Sequence, residues 1–455
     1  MSGPPPTVDR PQPAEPSIGS DPDRLLVRGI GLRQLTAMIF GYTVGSGIFV
    51  LPATVAAGLG NAGILAYLFC TVIIALVVLV FAEAGSRVTL TGGPYAYVEI
   101  ALGGYAGVLT AVLLYLSDVT AAGAVATVLT GSIGRTAGVT GAMPIAVMTI
   151  ALVAAIAAFN VRGVKSGASL VEVLTAAKLV PLLLFVGIGA FFISPAHLHW
   201  TTAPTIREVA RTSGTLLFAF TGIETALQPT GEVRDPARTI PRAAILALAL
   251  GSLLYIGVQT VALGISGPAL AADPVAPLAT AAGNVAGGAG RLLMLAGTVI
   301  STFGWLTGSI LATPRSLFAL SRDGFLPTWL AAVHPRHRTP HRAVLVHALV
   351  VVTLAISGSF QGLAILSNLA TLAVYVLCAL AVLVLRRRDV RADRDPFRVP
   401  GGGAVPVSTI VACGVVMLTT VTAREYRMFA VAIAAAALMS AYRGYRLRAT
   451  SSPHR

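Results

Sequence analysis

Twelve long apolar segments limit what this chain can fold into more than any other feature of its sequence. A helix needs roughly 20 apolar residues to cross a bilayer, and each segment approaches or exceeds that length. Only 11% of the residues are charged, against about 25% in typical water-soluble domains. We therefore predict an all-α integral membrane protein with twelve transmembrane helices, over residues 31–57, 61–86, 104–131, 142–159, 167–193, 207–230, 241–266, 288–318, 343–358, 361–385, 404–422 and 427–446.

The basic residues of the chain are distributed unevenly between its loops. If the N-terminus lies in the cytoplasm, 25 of the 32 Lys and Arg residues fall in cytoplasmic segments and six in outer loops. Membrane proteins carry such an excess in their cytoplasmic loops, which accounts for the net charge of +14 without a nucleic-acid partner. We expect a multi-pass plasma-membrane protein with both termini in the cytoplasm. Residues 1–29 are expected to form a disordered tail without a cleavable signal peptide, and residues 447–455 a short C-terminal tail.

Two of the apolar segments are interrupted in the middle. The sequence GYTVGSGIFVLP (residues 41–52) interrupts the first segment, and LLFAFTGIETALQP (residues 216–229) interrupts the sixth. Small residues also let membrane helices pack closely, and this alternative would explain either interruption alone. Interruptions at matching positions of two five-helix halves, residues 30–193 and 207–386, are instead typical of transporter binding sites. The last two helices, over residues 404–446, lie outside these halves.

An unwound turn within a membrane leaves backbone groups without partners, so it is tolerated only where it lines a cavity. At Gly45, Ser46 and Gly47, freed N–H groups and the positive end of the following half-helix would bind an anion such as a carboxylate. In the sixth segment, freed carbonyl groups near residues 219–221 would suit an ammonium group. A carboxylate site that faces an ammonium site predicts an α-amino acid as the substrate.

Four motifs carry a family resemblance: GSGIFVLPA, TGGPYAYVE, FAFTGIETALQPTGEVRDPARTIPRA and LATPRSLFALSRDGFLP. In this order and spacing they resemble the amino acid–polyamine–organocation (APC) superfamily of permeases, over residues 30–446. The resemblance implies a LeuT-type fold: five helices, five inverted helices and two more, with helices 1 and 6 broken. Among the branches the chain looks like the arginine–agmatine antiporters, including Trp305 in helix 8. Its pocket side chains depart from that branch, so the substrate does not transfer.

Polar and aromatic residues inside the segments are the candidate substrate contacts. In the third segment, Tyr115, Asp118, Ala122 and Val125 share one helical stripe. The resemblance implies that Tyr115 and Asp118 face the cavity, where a carboxylate would favour a cationic side chain; pairing with another polar residue of the bundle is the alternative for Asp118. The expected substrate contacts are Thr43, Gly45, Ser46, Gly47, Tyr115, Asp118, Phe218, Ala219, Thr221 and Trp305.

Three further residues are candidates for coupling and gating. Glu224 follows the second interruption, as a proton-linked gating acid or as a structural acid that accepts hydrogen bonds from freed N–H groups. Lys178 lies mid-segment 5 where, by the resemblance, sodium-coupled relatives of the fold hold a sodium ion. A fixed cation there would make sodium unnecessary; a structural ammonium bonded to carbonyls of helix 1 is the alternative. For Tyr375 in segment 10, core packing is the alternative to gating.

These expectations together describe a sodium-independent secondary transporter of amino acids in a lipid bilayer, driven by protons or by exchange. Basic amino acids or their amines are candidate substrates, and a homodimer is a candidate assembly. A non-transporting amino acid sensor on the same fold is the main alternative, but neither predicted tail is long enough for a soluble output segment. We find no nucleophile–base or metal constellation that would favour an intramembrane enzyme, and we expect no cofactor and no bound metal.

Overall fold

The computed structural model describes residues 29–88, 90, 92–139, 141–162, 174, 176–200, 203–227, 233–391, 395–420 and 423–451. Most of these residues are helical, and they include one isolated β-bridge between Ile30 and Val233. The helices within this part of the chain are α1 (Leu32–Thr43), α2 (Gly47–Leu59), α3 (Ile64–Arg87), α4 (Pro94–Leu102), α5 (Gly104–Ala137), α6 (Ala142–Arg162), α7 (Leu179–Gly189), α8 (Ile206–Leu216), α9 (Ile223–Ala226), α10 (Pro236–Ser266), α11 (Pro277–Ala312), α12 (Pro314–Arg322), α13 (His341–Ser357), α14 (Phe360–Arg387), α15 (Ala404–Thr420) and α16 (Ala423–Ser451).

The predicted tails are described only in small part. Residues 1–28 and 452–455 lie outside the described residues, so the expected disorder of the N-terminal tail stays a prediction. At the other end, α16 continues to Ser451, five residues into the region that the sequence predicts as the C-terminal tail.

Each apolar segment corresponds to helical structure, but the lengths of the helices differ. Among the described residues, six helical stretches are long and apolar enough to cross a membrane, and seven if the bent pair α1–α2 counts as one span. Four other segments form shorter apolar helices, and the sixth segment is divided between α8 and α9. The protein is therefore a multi-pass membrane protein, while twelve crossings and an inverted repeat stay predictions.

The first apolar segment is broken where its glycines predict. α1 ends at Thr43 and α2 begins at Gly47, and the two helices are bent by 50°. The Gly45 N–H donates to the Thr43 carbonyl at 2.9 Å. It is therefore not available for the helical bond to the Gly41 carbonyl, four residues back. The break leaves that carbonyl in need of another donor.

The sixth segment is broken at residues 220–222. α8 ends at Leu216, tightens into a 3₁₀ turn over Leu217–Ala219, and is followed by α9 from Ile223. Gly222 has a φ of +127°, a conformation that residues with a Cβ atom avoid. The break therefore requires glycine at this position. The proline that follows in the motif, Pro229, lies outside the described residues.

A buried ion-pair cluster joins helices at the end of the bundle where α3 and α14 finish. Glu83 of α3 is fully buried and accepts hydrogen bonds from Arg87, from Arg386 of α14 and from the Val399 N–H. A buried carboxylate is costly unless it is paired and hydrogen-bonded, and here both oxygens have donors. The cluster fixes α14, which lines the site described below, against α3.

A second ion pair lies at the other end of the bundle, where α5 and α10 finish. Asp273, between α10 and α11, contacts Arg135 of α5 at 2.8 Å and accepts hydrogen bonds from Thr280 and from the Ala276 N–H. Partial burial raises the pKa of Asp273, but these hydrogen bonds and the Arg135 charge outweigh that effect and hold the pKa below its ordinary value. The ionised carboxylate therefore stabilises this connection.

Candidate substrate site

The two broken helices cross at their interruptions, and their backbones touch there. A Cβ atom on Gly47 would lie 2.9 Å from the Ala219 Cβ and 3.0 Å from the Ala219 Cα. A Cβ atom on Gly222 would lie 2.9 Å from the carbonyl carbon and oxygen of Tyr42. Carbon atoms in contact normally stay about 3.5–4.0 Å apart. Glycine at both positions is therefore what permits this close crossing.

A cavity of about 610 Å³, a volume that includes the space open to its surroundings, lies beside the crossing. Both interruptions contribute to its wall, and α5, α11 and α14 contribute side chains. Broken helices inside a membrane are stable when their freed backbone groups line such a space. Among the described residues, no group of His, Cys, Asp or Glu is arranged to hold a metal ion.

Lys178 supplies the donor that the first break needs. Its ammonium group, which is 3% exposed, donates to the Gly41 carbonyl at 2.6 Å and to the Val44 carbonyl. The Gly41 carbonyl is the one that the turn at Gly45 leaves without a helical donor. The structure thus shows the contact expected of a structural lysine bonded to carbonyls of helix 1, and it places the Lys178 Nζ directly against the break.

Two hydroxyl groups contact three further carbonyls of the crossing. The Tyr255 hydroxyl of α10 lies 2.9 Å from the Thr43 carbonyl and 2.7 Å from the Ala219 carbonyl. It carries one proton, so it can donate fully to one of these carbonyls at a time. The Ser301 hydroxyl of α11 donates to the Gly45 carbonyl at 3.2 Å. The two breaks are therefore connected through Tyr255 as well as by direct contact.

Hydrogen-bond donors remain available at the start of α2. Ser46 lines the cavity, is 1% exposed, and its hydroxyl has no hydrogen-bond partner among the described residues. The first N–H groups of any helix also lack intrahelical acceptors, and α2 begins at the next residue. An unpaired buried hydroxyl beside free N–H groups and a positive helix end suits a negatively charged ligand group.

Two carboxylates face the cavity, with different surroundings. Asp118 is half-buried, and its nearest hydrogen-bond donor in the described part of the chain is the Thr313 hydroxyl at 3.5 Å. Glu224 is 4% exposed and accepts hydrogen bonds from the Tyr375 hydroxyl at 2.7 Å and from the Gly222 N–H at 3.0 Å. Glu224 therefore stabilises the second break while it also lines the cavity.

The aromatic residues divide between the cavity wall and its surroundings. Phe218 and Trp305 line the cavity, and the Phe218 ring packs edge-on against Phe360 of α14 with centroids 5.7 Å apart. Tyr115 is not among the lining residues. Its ring contacts the imidazole of His347 on α13, with centroids 5.8 Å apart.

The cavity brings together most of the expected substrate contacts. The wall includes Thr43, Gly45, Ser46, Gly47, Asp118, Phe218, Thr221, Glu224 and Trp305. Lys178, Ala219 and Tyr375 are not among the lining residues. Lys178 donates to carbonyls of the first break, the Ala219 carbonyl accepts from Tyr255, and the Tyr375 hydroxyl donates to Glu224. On α5 the lining face passes through Ser117, Asp118, Ala121 and Val125. This face shares Asp118 and Val125 with the predicted stripe, but it includes Ala121 instead of Ala122 and excludes Tyr115.

Several residues of the site carry no distinct sequence signal. Tyr255 and Ser301 lie in long, largely apolar helices that hold other polar residues as well, and only the packing shows that they face the breaks. The hydroxyl of Ser117 lies 3.2 Å from that of Ser367 on α14 and also contacts Thr371. A signal does exist at the end of α11: Trp305, Ser309 and Thr313, the residue directly after the helix, recur every four residues, which is the spacing of one helix face. All three line the cavity.

Comparison with known proteins identifies the family. The sequence profile described as amino acid permease matches residues 30–439. The chain is 30% identical to the methylthioribose transporter of Bacillus subtilis (strain 168), over 89% of this chain and 90% of the relative. It is 26% identical to the branched-chain amino acid permease of the same organism, over 86% of this chain and 88% of the relative. It is also 26% identical to the serine/threonine exchanger of that organism, over 88% of this chain and 92% of the relative. The chain therefore belongs to the amino acid permease family of the APC superfamily, whose members are membrane transporters.

Proposed function

We propose that this permease is a secondary active transporter that binds an α-amino acid at the crossing of its two broken helices and moves it by alternating access. One observation carries the proposal: the interruptions touch at Gly47 and Gly222 and share one cavity. A membrane protein gains nothing in stability from two adjacent breaks, because each frees backbone groups that other residues must satisfy. A ligand that uses those groups explains why both breaks exist.

The polarity of the site fits the two ends of an amino acid. The substrate carboxylate is proposed to bind the Ser46 hydroxyl and the N–H groups at the start of α2. The substrate amino group is proposed to lie toward the carbonyl groups of the second break, near residues 219–221. These groups belong to different breaks, which would fix the orientation of the amino acid backbone and leave its side chain to the rest of the cavity.

Asp118 supports a cationic substrate, a basic amino acid or its amine. Its carboxylate faces the cavity and has no ion-pair partner among the described residues. A positive substrate group would supply the missing partner. The named substrates of the relatives, which are methylthioribose, branched-chain amino acids, and serine and threonine, differ from one another. These names do not favour one particular substrate side chain for this permease.

The coupling is proposed to be independent of sodium and linked to protons or to exchange. The ammonium group of Lys178 occupies the carbonyls of the first break, and a second cation beside it would be strongly repelled at low dielectric. Glu224 provides a titratable group in the cavity wall, in contact with the second break. Together these residues support a permease driven by protons, or by a counter-transported amino acid or amine.

The proposal includes a topology and a location. The positive-inside distribution supports cytoplasmic termini and insertion in the plasma membrane. Twelve crossings, with residues 30–193 and 207–386 as inverted halves, would place the two breaks symmetrically about the bilayer midplane. We also propose that the permease belongs to the branch of arginine–agmatine antiporters and that it forms a homodimer. Trp305 and Glu224 in the cavity wall support the assignment to that branch.

Uptake into proteoliposomes tests the proposed function. Purified protein is reconstituted, and each radiolabelled amino acid is assayed for uptake and for counterflow, with methylthioribose and polyamines included. We expect saturable uptake by the wild type and loss of uptake in Gly47→Ala, because the new Cβ atom would force the breaks apart. Gly414→Ala is the matched control, since its Cβ atom would meet nothing within 4 Å. Binding without any flux would instead favour an amino acid sensor and reject transport.

A separate assay tests the coupling. Uptake is measured with sodium, choline or a proton gradient across the same vesicles, at fixed voltage. We expect equal uptake in sodium and choline and a change with the proton gradient or with amino acid inside the vesicles. Accumulation driven by sodium alone would reject the proposed role of Lys178.

A further inference from the structure

Asn368 of α14 is a buried polar residue that does not line the cavity. It is 3% exposed, and its amide nitrogen Nδ2 donates to the Gly214 carbonyl at 2.8 Å. Its amide oxygen Oδ1 has no hydrogen-bond partner among the described residues. A buried polar atom without a partner is costly, and an apolar side chain would avoid that cost. The bond to Gly214 is therefore the contact that accounts for an asparagine at this position.

The acceptor of this bond lies directly before the second break. Gly214 is the third-last residue of α8, and the 3₁₀ turn over Leu217–Ala219 follows. The last four carbonyls of a helix have no intrahelical donors. The contacts that the preceding residue, Ser213, makes with α3 are longer, at 3.4 and 3.5 Å. Asn368 thus supplies a donor where α8 ends, as Lys178 does at the first break.

A second residue of α14 contacts the other side of the same break. The Tyr375 hydroxyl donates to the Glu224 carboxylate of α9 at 2.7 Å, and this carboxylate also accepts from the Gly222 N–H at 3.0 Å. Asn368 and Tyr375 are seven positions apart, so they share one face of α14 and lie about 10 Å apart along its axis. The two contacts of α14 therefore lie on either side of residues 217–222.

Other contacts attach α14 to the rest of the bundle. The Ser367 hydroxyl lies 3.2 Å from that of Ser117 on α5, which also contacts Thr371. Near the end of α14, Arg386 bonds to the buried Glu83 of α3. These contacts do not involve the sixth segment. α14 is therefore a support to which both sides of the second break are attached.

We infer that Asn368 is a positioning residue of the substrate site: together with Tyr375, it lets α14 hold the two sides of the second break at a fixed separation. The inference rests on the proposed function, in which carbonyls near residues 219–221 bind the substrate amino group. The backbone that carries those carbonyls lies between the two contacts. Loss of either contact frees one side of the break and misdirects the carbonyls. Loss of the other contact then changes little more.

A double-mutant cycle on the full-length purified protein tests this inference. Each of the twenty common L-amino acids is screened by thermal shift, and the one that binds the wild type most tightly is the probe for equilibrium binding. The variants are Asn368→Leu, Tyr375→Phe and their combination. Asn368→Ala is a second variant at the same position, because leucine could be too bulky for the site.

Asn160 of α6 provides a matched control. It is 2% exposed, its amide nitrogen donates to the Thr307 carbonyl of α11 at 3.3 Å, and its amide oxygen has no partner among the described residues. It therefore resembles Asn368 in burial and bonding, but its acceptor belongs to neither break. Asn160→Leu is measured alone and in combination with Tyr375→Phe.

We expect Asn368→Leu, Asn368→Ala and Tyr375→Phe each to weaken binding about threefold to tenfold, the range for one interhelical hydrogen bond in a membrane. Independent contacts would multiply in the double variant, to within about twofold. The combination of Asn368→Leu with Tyr375→Phe should instead bind about as well as the weaker single variant. The losses of Asn160→Leu and Tyr375→Phe should multiply.

A double variant whose loss equals the product of the single losses would overturn the inference, because the two contacts would then act independently. Unchanged affinity in the Asn368 variants or in Tyr375→Phe would also overturn it. So would the failure of both Asn368 variants to fold while Asn160→Leu folds, since Asn368 would then be needed for folding as a whole. If the wild type binds none of the amino acids, the proposed function itself is rejected.

Discussion

Replacement of Lys178 by methionine tests how the first break is held in place. The ammonium group donates to the Gly41 and Val44 carbonyls, and a hydrogen bond to a charged group contributes roughly 1.5–3 kcal/mol. Two such bonds would amount to about 3–6 kcal/mol, but removal of a buried charge regains several kcal/mol of desolvation. We expect a net destabilisation of the break of about 2 kcal/mol. At 1.4 kcal/mol for each factor of ten, this corresponds to an apparent substrate affinity about 30-fold weaker.

Equilibrium binding of the best substrate from the uptake screen to detergent-purified Lys178→Met provides the measurement. Leu183→Met on α7, which begins directly after Lys178, is the matched control, because Leu183 is 60% exposed and does not line the cavity. Its affinity should equal that of the wild type. An unchanged affinity in Lys178→Met would refute the reasoning, since it would show that the carbonyls of the break do not need the ammonium group.

Four other substitutions probe the remaining parts of the account. Tyr255→Phe should weaken substrate affinity about fivefold to tenfold, because a neutral hydrogen bond at the crossing contributes about 1 kcal/mol. Isothermal titration calorimetry measures this affinity, and an unchanged value would argue against a Tyr255 bridge between the two breaks. Asp118→Asn should weaken basic substrates by about 1–3 kcal/mol and leave neutral ones unaffected in competition assays; equal losses would indicate a structural role. Glu224→Gln should flatten the pH response of uptake while some exchange remains, and a retained response would exclude Glu224 as the proton-linked group. The pKa of Asp273 is lowered in the folded protein. Its carboxylate therefore stabilises the fold at pH values above the unfolded-state pKa, and this stabilisation is lost as the pH falls through the lower folded-state pKa. Asp273→Asn should lower the melting temperature at neutral pH, and the difference from wild type should shrink in acid.

Local sequence signals predict the breaks of the fold well. A side chain in place of glycine is destabilising where φ is positive or where two backbones touch. Gly47 and Gly222 therefore already indicate the two breaks in the amino-acid sequence. The lengths of the helices are harder to predict, because the apolar composition of a segment does not show where a helix ends or tilts. The sequence predicts the interruption of the sixth segment, but not that its described part divides into an 11-residue helix, a 3₁₀ turn and a four-residue helix.

The candidate site is less predictable, because it depends on how each helix is rotated. Asp118 and Tyr115 lie three positions apart, which separates their directions by about 60° around a helix axis. That rotation decides that Asp118 lines the cavity and that Tyr115 contacts His347. Tyr255 lies 36 residues from Ala219 and 212 from Thr43, so only the packed bundle reveals that one hydroxyl serves both breaks.

Substrate protection of a thiol at the first break tests the central claim most directly. In Ser46→Cys, the new thiol would replace the buried hydroxyl that faces the cavity without a partner among the described residues. The three native cysteines, Cys70, Cys378 and Cys413, are buried, and unmodified protein provides the background of labelling by a small methanethiosulfonate reagent. If an amino acid binds at the crossing, the transported amino acid should slow the labelling of Ser46→Cys in proportion to its occupancy, and a non-transported one should not. Labelling at the same rate with and without saturating substrate, in protein that still binds it, would contradict the account.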